Sequence, residues 1–157
     1  MNAPRLASAA KLLLTCLGAI TLAACFMPTK QPDAALVRPV PADRVFPIPP
    51  QGTETGTVVV TRDVGAVGSK CAFGLMIDEQ IAAHLNTAES ASFNLRPGRH
   101  LLTVTGIDGP GLCGLNNSKA TLARRRSIEV FVEAGTTRKY RLSFPSAESP
   151  PVIEPTF

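Results

Sequence analysis

Between residues 56 and 144 apolar residues recur at every second position in short runs, the period of a strand that buries one face. Thr57-Val58-Val59-Val60-Thr61 is β-branched throughout and predicts a buried strand. Gly65, Gly68 and Ser69 break it, 72–77 makes the next strand, and Asp78-Glu79-Gln80 turns the chain into 81–85. In 91–95, Phe93 and Leu95 share a face; Arg96-Pro97-Gly98-Arg99 is a turn, because Pro presets φ and Gly accepts a positive one. In 100–106, Leu102 and Val104 alternate with Leu101, Thr103 and Thr105. A Gly- and Asn-rich loop fills 107–118. Within 121–132, Ile128, Val130 and Val132 share a face; Ala134-Gly135 turns, and 136–144 returns with Tyr140, Leu142 and Phe144 inward. Residues 79–90 admit a helical turn as well as strand. Six or seven short strands between turn signals predict an all-β fold, a small antiparallel β-sandwich of immunoglobulin-like or transthyretin-like type.

The flanks lack this alternation. Pro28, Pro32, Pro39, Pro41, Pro47, Pro49 and Pro50 punctuate 26–55. Such a segment favours polyproline II, a semi-rigid spacer of roughly 3.1 Å per residue. It predicts a tether over 25–55 with a reach of up to ~90 Å, although Val45-Phe46-Pro47-Ile48 is apolar enough to dock. Pro145, Pro150, Pro151 and Pro155 give 145–157 the same character, and it reads as a loose tail.

Ahead of the tether, Arg5 and Lys11 precede an apolar run over 12–22. Eleven helical residues span only about 16 Å, short of a ~30 Å hydrocarbon core, so 1–24 reads as a signal peptide rather than a permanent span. The run ends in Leu22-Ala23-Ala24-Cys25, which resembles the lipobox of bacterial lipoproteins. That resemblance implies cleavage before Cys25, a lipid on its sulfur, and fatty acylation (palmitate or a similar chain) of the new N-terminus. Two or more acyl chains hold a protein stably on a bilayer. Phe26 stands where Asp would favour inner-membrane retention in proteobacterial lipoproteins, which implies the outer membrane, facing the periplasm.

With Cys16 lost in the signal and Cys25 lipidated, Cys71 and Cys113 remain. Two thiols in a small exported domain predict one disulfide, worth on the order of 4 kcal/mol by loop entropy. A redox or metal-binding pair is the alternative, but His84 and His100 are the only imidazoles available to complete a metal site. The formal charge of +4 falls by two when Arg5 and Lys11 leave with the signal, too little to argue nucleic-acid binding. Cations concentrate late in the chain. If 121–132 and 136–144 pair as a hairpin, Arg124, Arg125, Arg126, Arg138, Lys139 and Arg141 make a patch for anionic headgroups, cell-wall polymer or an acidic envelope protein. A solvated sheet face is the plainer reading.

No Ser sits in a Gly-x-Ser-x-Gly elbow. His100, on the Leu102 and Val104 face, is expected to close the sandwich end with a ring hydrogen bond. Asp63, Asp78, Glu79 and Glu89 lack the spacing of a calcium loop, and Arg62-Asp63 reads as an ion pair or cap. No metal or cofactor is expected.

Arg62-Asp63, Gly68-Ser69-Lys70-Cys71, Asp78-Glu79, Pro97-Gly98-Arg99-His100, Cys113 and Gly135 to Tyr140-Arg141 follow one another in an order. That order resembles a group of small proteobacterial lipoproteins whose globular part is a β-sandwich domain of unknown function, with Asp-Gly more usual at Asp78-Glu79. The resemblance covers 56–144. It implies a β-sandwich envelope lipoprotein with no established activity; the expected function is that of a membrane-anchored structural or interaction module and not an enzyme. Binding of a small periplasmic ligand or glycan through the 107–118 loop is the rival expectation, and a hydrolase the least favoured.

Overall fold

The structure, a computed structural model, describes residues 27–48, 52–106, 125–146 and 149–156. The strands are β1 (Arg38–Pro39), β2 (Gly56–Arg62), β3 (Phe73–Ile77), β4 (Gln80–Leu85), β5 (Glu89–Leu95), β6 (Gly98–Gly106), β7 (Arg126–Val132), β8 (Thr137–Ser143) and β9 (Val152–Thr156). They form two sheets, ordered β1-β5-β2-β8-β9 and β4-β3-β6-β7. The all-β expectation holds, with one correction to the pairing. Most neighbours are antiparallel, but β1 with β5 and β2 with β8 are parallel.

Alternation assigned the faces well. Val58, Val60, Phe93, Leu95, Tyr140 and Leu142 of one sheet meet Leu75, Ile77, Leu85, Leu102, Val104 and Val130 of the other in the core. Each fully buried Val or Leu contributes about 1.5–3 kcal/mol. Residues 80–85 and 89–95 are strand, which settles the 79–90 ambiguity against a helical turn.

Partners were harder to read than faces. The turn at Pro97-Gly98 is a corner between sheets: it carries the chain from β5 in one to β6 in the other. The 121–132 and 136–144 segments do not pair either, since β7 lies beside β6 and β8 between β2 and β9. The Ala134-Gly135 turn crosses between sheets and passes so close to Gly56 that a Cβ there would lie 2.3 Å from the Glu133 carbonyl oxygen. Close backbone approach explains a glycine at the first residue of a buried strand.

Between β3 and β4, Asp78 and Glu79 both take left-handed backbone, φ 48° and 67°. This is the two-residue hairpin geometry that favours Asn-Gly or Asp-Gly. Glutamate costs about 1 kcal/mol in that conformation, so Glu79→Gly is expected to stabilise the fold by about that amount, measured by thermal melting.

Both proline-rich flanks are part of the fold. Thr29 donates its backbone N–H to the Phe144 carbonyl at 2.9 Å, and Lys30 and Val64 exchange two backbone bonds of 2.9 Å. The segment then pairs along β5 through β1. Val40 enters the core, and Phe46 donates to the Ala82 carbonyl of β4 at 2.9 Å. We call 27–48 the strap. It bridges the edges of both sheets on one side of the sandwich, so the expected extended tether is corrected to a docked segment. The expected loose tail is corrected too: β9 pairs with β8 over five residues, and Ile153 is buried.

Candidate functional site

Two polar clamps hold the strap. At the end of the sandwich where β2 and β8 finish, the Thr29 hydroxyl donates to Asp63 Oδ2 (3.2 Å) and accepts the Phe144 backbone N–H (2.7 Å). Arg141 Nη2 pairs with the same carboxylate oxygen, while Asp63 Oδ1 and Arg141 Nε are buried without a hydrogen-bond partner among the described residues, Nε lying 3.9 Å from Glu154 Oε2 in an ion pair. Burial pushes the Asp63 carboxyl above its ordinary value, against the pull of Arg141 and Thr29.

The second clamp is bidentate. Arg44 donates from Nη1 to Glu89 Oε2 (2.8 Å) and from Nη2 to Oε1 (2.6 Å), with a further bond from Nη1 to the His84 carbonyl at 3.0 Å. The Asn86 N–H also donates to Glu89 Oε2 at 2.7 Å, and the Phe46 ring meets the His84 ring edge-on, centroids 4.9 Å apart. Burial acts to raise the Glu89 pKa, but bonds from Arg44 and Asn86 and the charges of Arg44 and Arg38 hold it below its ordinary 4.5.

That depression has a sign. A carboxylate with a lowered folded pKa stabilises the fold above its unfolded pKa, and the contribution is lost as pH falls through the folded value. The urea midpoint is expected to drop as acid is added below about pH 4.5. Glu89→Gln removes this contribution and flattens that part of the profile, at the cost of about 3 kcal/mol at neutral pH, as expected for a broken part-buried ion pair.

Between the clamps lies Arg62, 2% exposed. It donates to the carbonyls of Gly68, Cys71 and Leu85, the last at 2.8 Å. Its guanidinium lies 4.6 Å from the centroid of the Phe73 ring. Burial lowers its pKa to about 10, offset in part by Glu89, so it stays charged at neutral pH. Arg62-Asp63 is thus not an ion pair with itself. At the opposite end, His100 is buried, its Nδ1 2.6 Å from Asp78 Oδ2 and its Nε2 2.9 Å from the Arg96 carbonyl. The imidazole bridges a hairpin to a corner.

The side of the sandwich away from the strap is open. There β7 and β9 are the outer strands of their sheets, and with β8 they line a groove of about 630 Å³. Val130, Tyr140 and Pro155 line it together with Arg138 and Lys139. Phe131, 57% exposed, stands at its margin. Burial raises the Tyr140 phenol. Arg138 pairs with Glu133 at 3.1 Å in an exposed contact, of a kind worth little to stability. The groove offers apolar area with a charged rim of Glu129, Arg138 and Lys139.

The predicted patch is divided by the two sheets. Arg125 and Arg126 stand at the start of β7, at the strap end, whereas Arg138 and Lys139 lie toward the other end of β8 and Arg141 is committed to Asp63. Cys25, Cys113, Arg124 and the 107–118 loop lie outside the described residues. Cys71 closes the turn from Gly68, donating its N–H to the Gly68 carbonyl at 3.0 Å. Asp63 and Glu89 are engaged by arginines at one end and Asp78 by His100 at the other. Among the described residues no three His, Cys, Asp or Glu converge in a metal-binding group.

Fold and surface define a two-sheet, all-β sandwich with one strapped side and one open side. Neither a protein-family model nor a curated protein matches the chain.

Proposed function

We propose that this chain is a lipid-anchored bacterial envelope protein, outer-membrane bound and facing the periplasm, whose β-sandwich is a non-enzymatic interaction module. The observation that carries the reading is Leu22-Ala23-Ala24-Cys25 behind a basic and then apolar segment. In this reading residues 1–24 are removed, Cys25 carries the acyl chains, and Cys71 is joined to Cys113. Of the two sandwich types expected, the strand order supports the transthyretin-like one. Immunoglobulin constant sandwiches place strands one, two, five and four in one sheet, and the order here differs. The open side, with Phe131, Arg138 and Lys139 around its groove, is the surface offered to an envelope partner.

The test is metabolic labelling with a palmitate analogue followed by membrane fractionation. Label in the wild type, with loss of both label and sedimentation in Cys25→Ser, is the expected result; an unlabelled wild type overturns the reading. Non-reducing peptide mapping is expected to recover the Cys71 and Cys113 peptides as one species.

A small-ligand reading draws on the groove rather than the 107–118 loop, because about 630 Å³ is within the usual range for ligand pockets. A thermal-shift screen of periplasmic glycans and metabolites checks it, since a ligand that binds only the folded state raises the melting temperature.

A further inference from the structure

We infer that the strap end of the sandwich is a membrane-seating surface, held flush against an anionic bilayer; this rests on the lipid-anchor reading of Cys25. Thr29 is 8% exposed and fixed by its bonds to Phe144 and Asp63. Only four residue steps separate it from Cys25, a reach of about 14 Å even fully extended. The bilayer surface therefore lies next to Thr29 rather than a long tether away.

The chemistry of this end suits headgroups. Lys30, Arg38, Lys70 and Arg126 are exposed there and Arg125 is half-buried, with Arg126 also donating to the Arg125 carbonyl at 2.8 Å. The carboxylates deepest in this end, Asp63 and Glu89, are engaged by Arg141 and Arg44. The exposed ones on the strap and β9 are Asp33, Asp43 and Glu154. Apolar groups accompany the cations. Met27, 66% exposed and two residues before Thr29, is one of the four large hydrophobic side chains left open among the described residues; Leu36, equally exposed, belongs to the stretch of strap beside the outer face of β2, β8 and β9. Exposed apolar side chains set among lysine and arginine are the composition of an interfacial segment, which sinks shallowly while its cations meet phosphate. Clamping costs the surface nothing further on binding, because the strap is already ordered.

The test uses the acylated mature chain in phosphatidylcholine vesicles with and without phosphatidylglycerol, read by hydrogen exchange and by label on Cys25. Amides of 27–38 and 125–126 are expected to exchange roughly tenfold more slowly on the anionic vesicles, while 96–99 at the far end are unchanged. High salt, and Lys30→Glu combined with Arg38→Glu, are expected to remove most of that protection, each basic side chain near the surface being worth several-fold in affinity. Both residues are exposed, and salt makes the same test on the unaltered chain. A labelled protein whose two ends exchange alike on both vesicle types overturns the seating surface and leaves the anchor intact. An unlabelled protein overturns both.

Discussion

Arg62→Ala is expected to lower the folding free energy by about 4 kcal/mol, a shift of about 2 M or more in the urea midpoint. The side chain fills the end of the core, so its loss leaves a cavity. It also strands the buried Leu85 carbonyl, which costs about 1–3 kcal/mol when unpaired, and the part-buried carbonyls of Gly68 and Cys71, which cost less. Arg62→Lys keeps the charge but not the planar fork that reaches three acceptors at once, and is expected to recover only part of the loss. A midpoint unchanged in Arg62→Ala would contradict the structural role. Because Gly68 and Cys71 flank one turn, the same variant is expected to speed hydrogen exchange across 66–72 before the rest of the domain opens.

Removing residues 149–157 is expected to cost 3–5 kcal/mol or to leave the protein aggregated. The cut takes away Ile153, 5% exposed in the core and worth about 1.5–3 kcal/mol by burial. It also takes the ladder between β9 and β8, exposing a long, newly unpaired edge. Urea unfolding and size exclusion check this; a loose tail would leave both unchanged. Ile153→Ala separates the contributions, since it keeps the ladder and is expected to cost about 2–4 kcal/mol.

How much of this was legible differs from element to element. The inward faces of β5, β6, β7 and β8 were readable because burial on one side of a strand writes itself as alternation, whereas the β-branched run of β2 marked a strand without marking its face. Which strand each lies beside was not readable, because alternation records a face and says nothing of a partner. That is why the Ala134-Gly135 crossing resembled a hairpin, and why the Pro97-Gly98 turn gave no sign that it changes sheets. The strap and β9 were misread as loose because prolines dominate them. Proline is tolerated on sheet edges, and Pro39 and Pro155 occupy that position. The clamps were half visible. Arg62-Asp63 drew notice as a pair, but neighbours in a strand point to opposite faces, so one enters the core and the other turns to Arg141. The partners of Asp63, Thr29 and Arg141, stand 34 and 78 residues away in sequence, beyond any local signal.

The clasp between Thr29 and Phe144 spans 115 residues, and it sets the order in which the molecule is made. A chain emerging from its N-terminus delivers the strap first, yet every strand that receives it comes later. The strap's bonds to Val64, Ala82 and Ser90 have partners earlier in the chain, but Thr29 lacks its backbone partner until Phe144 has been made. Long-range closures of this kind make folding slow. A chain made only as far as β7 therefore lacks the residue that fixes Thr29.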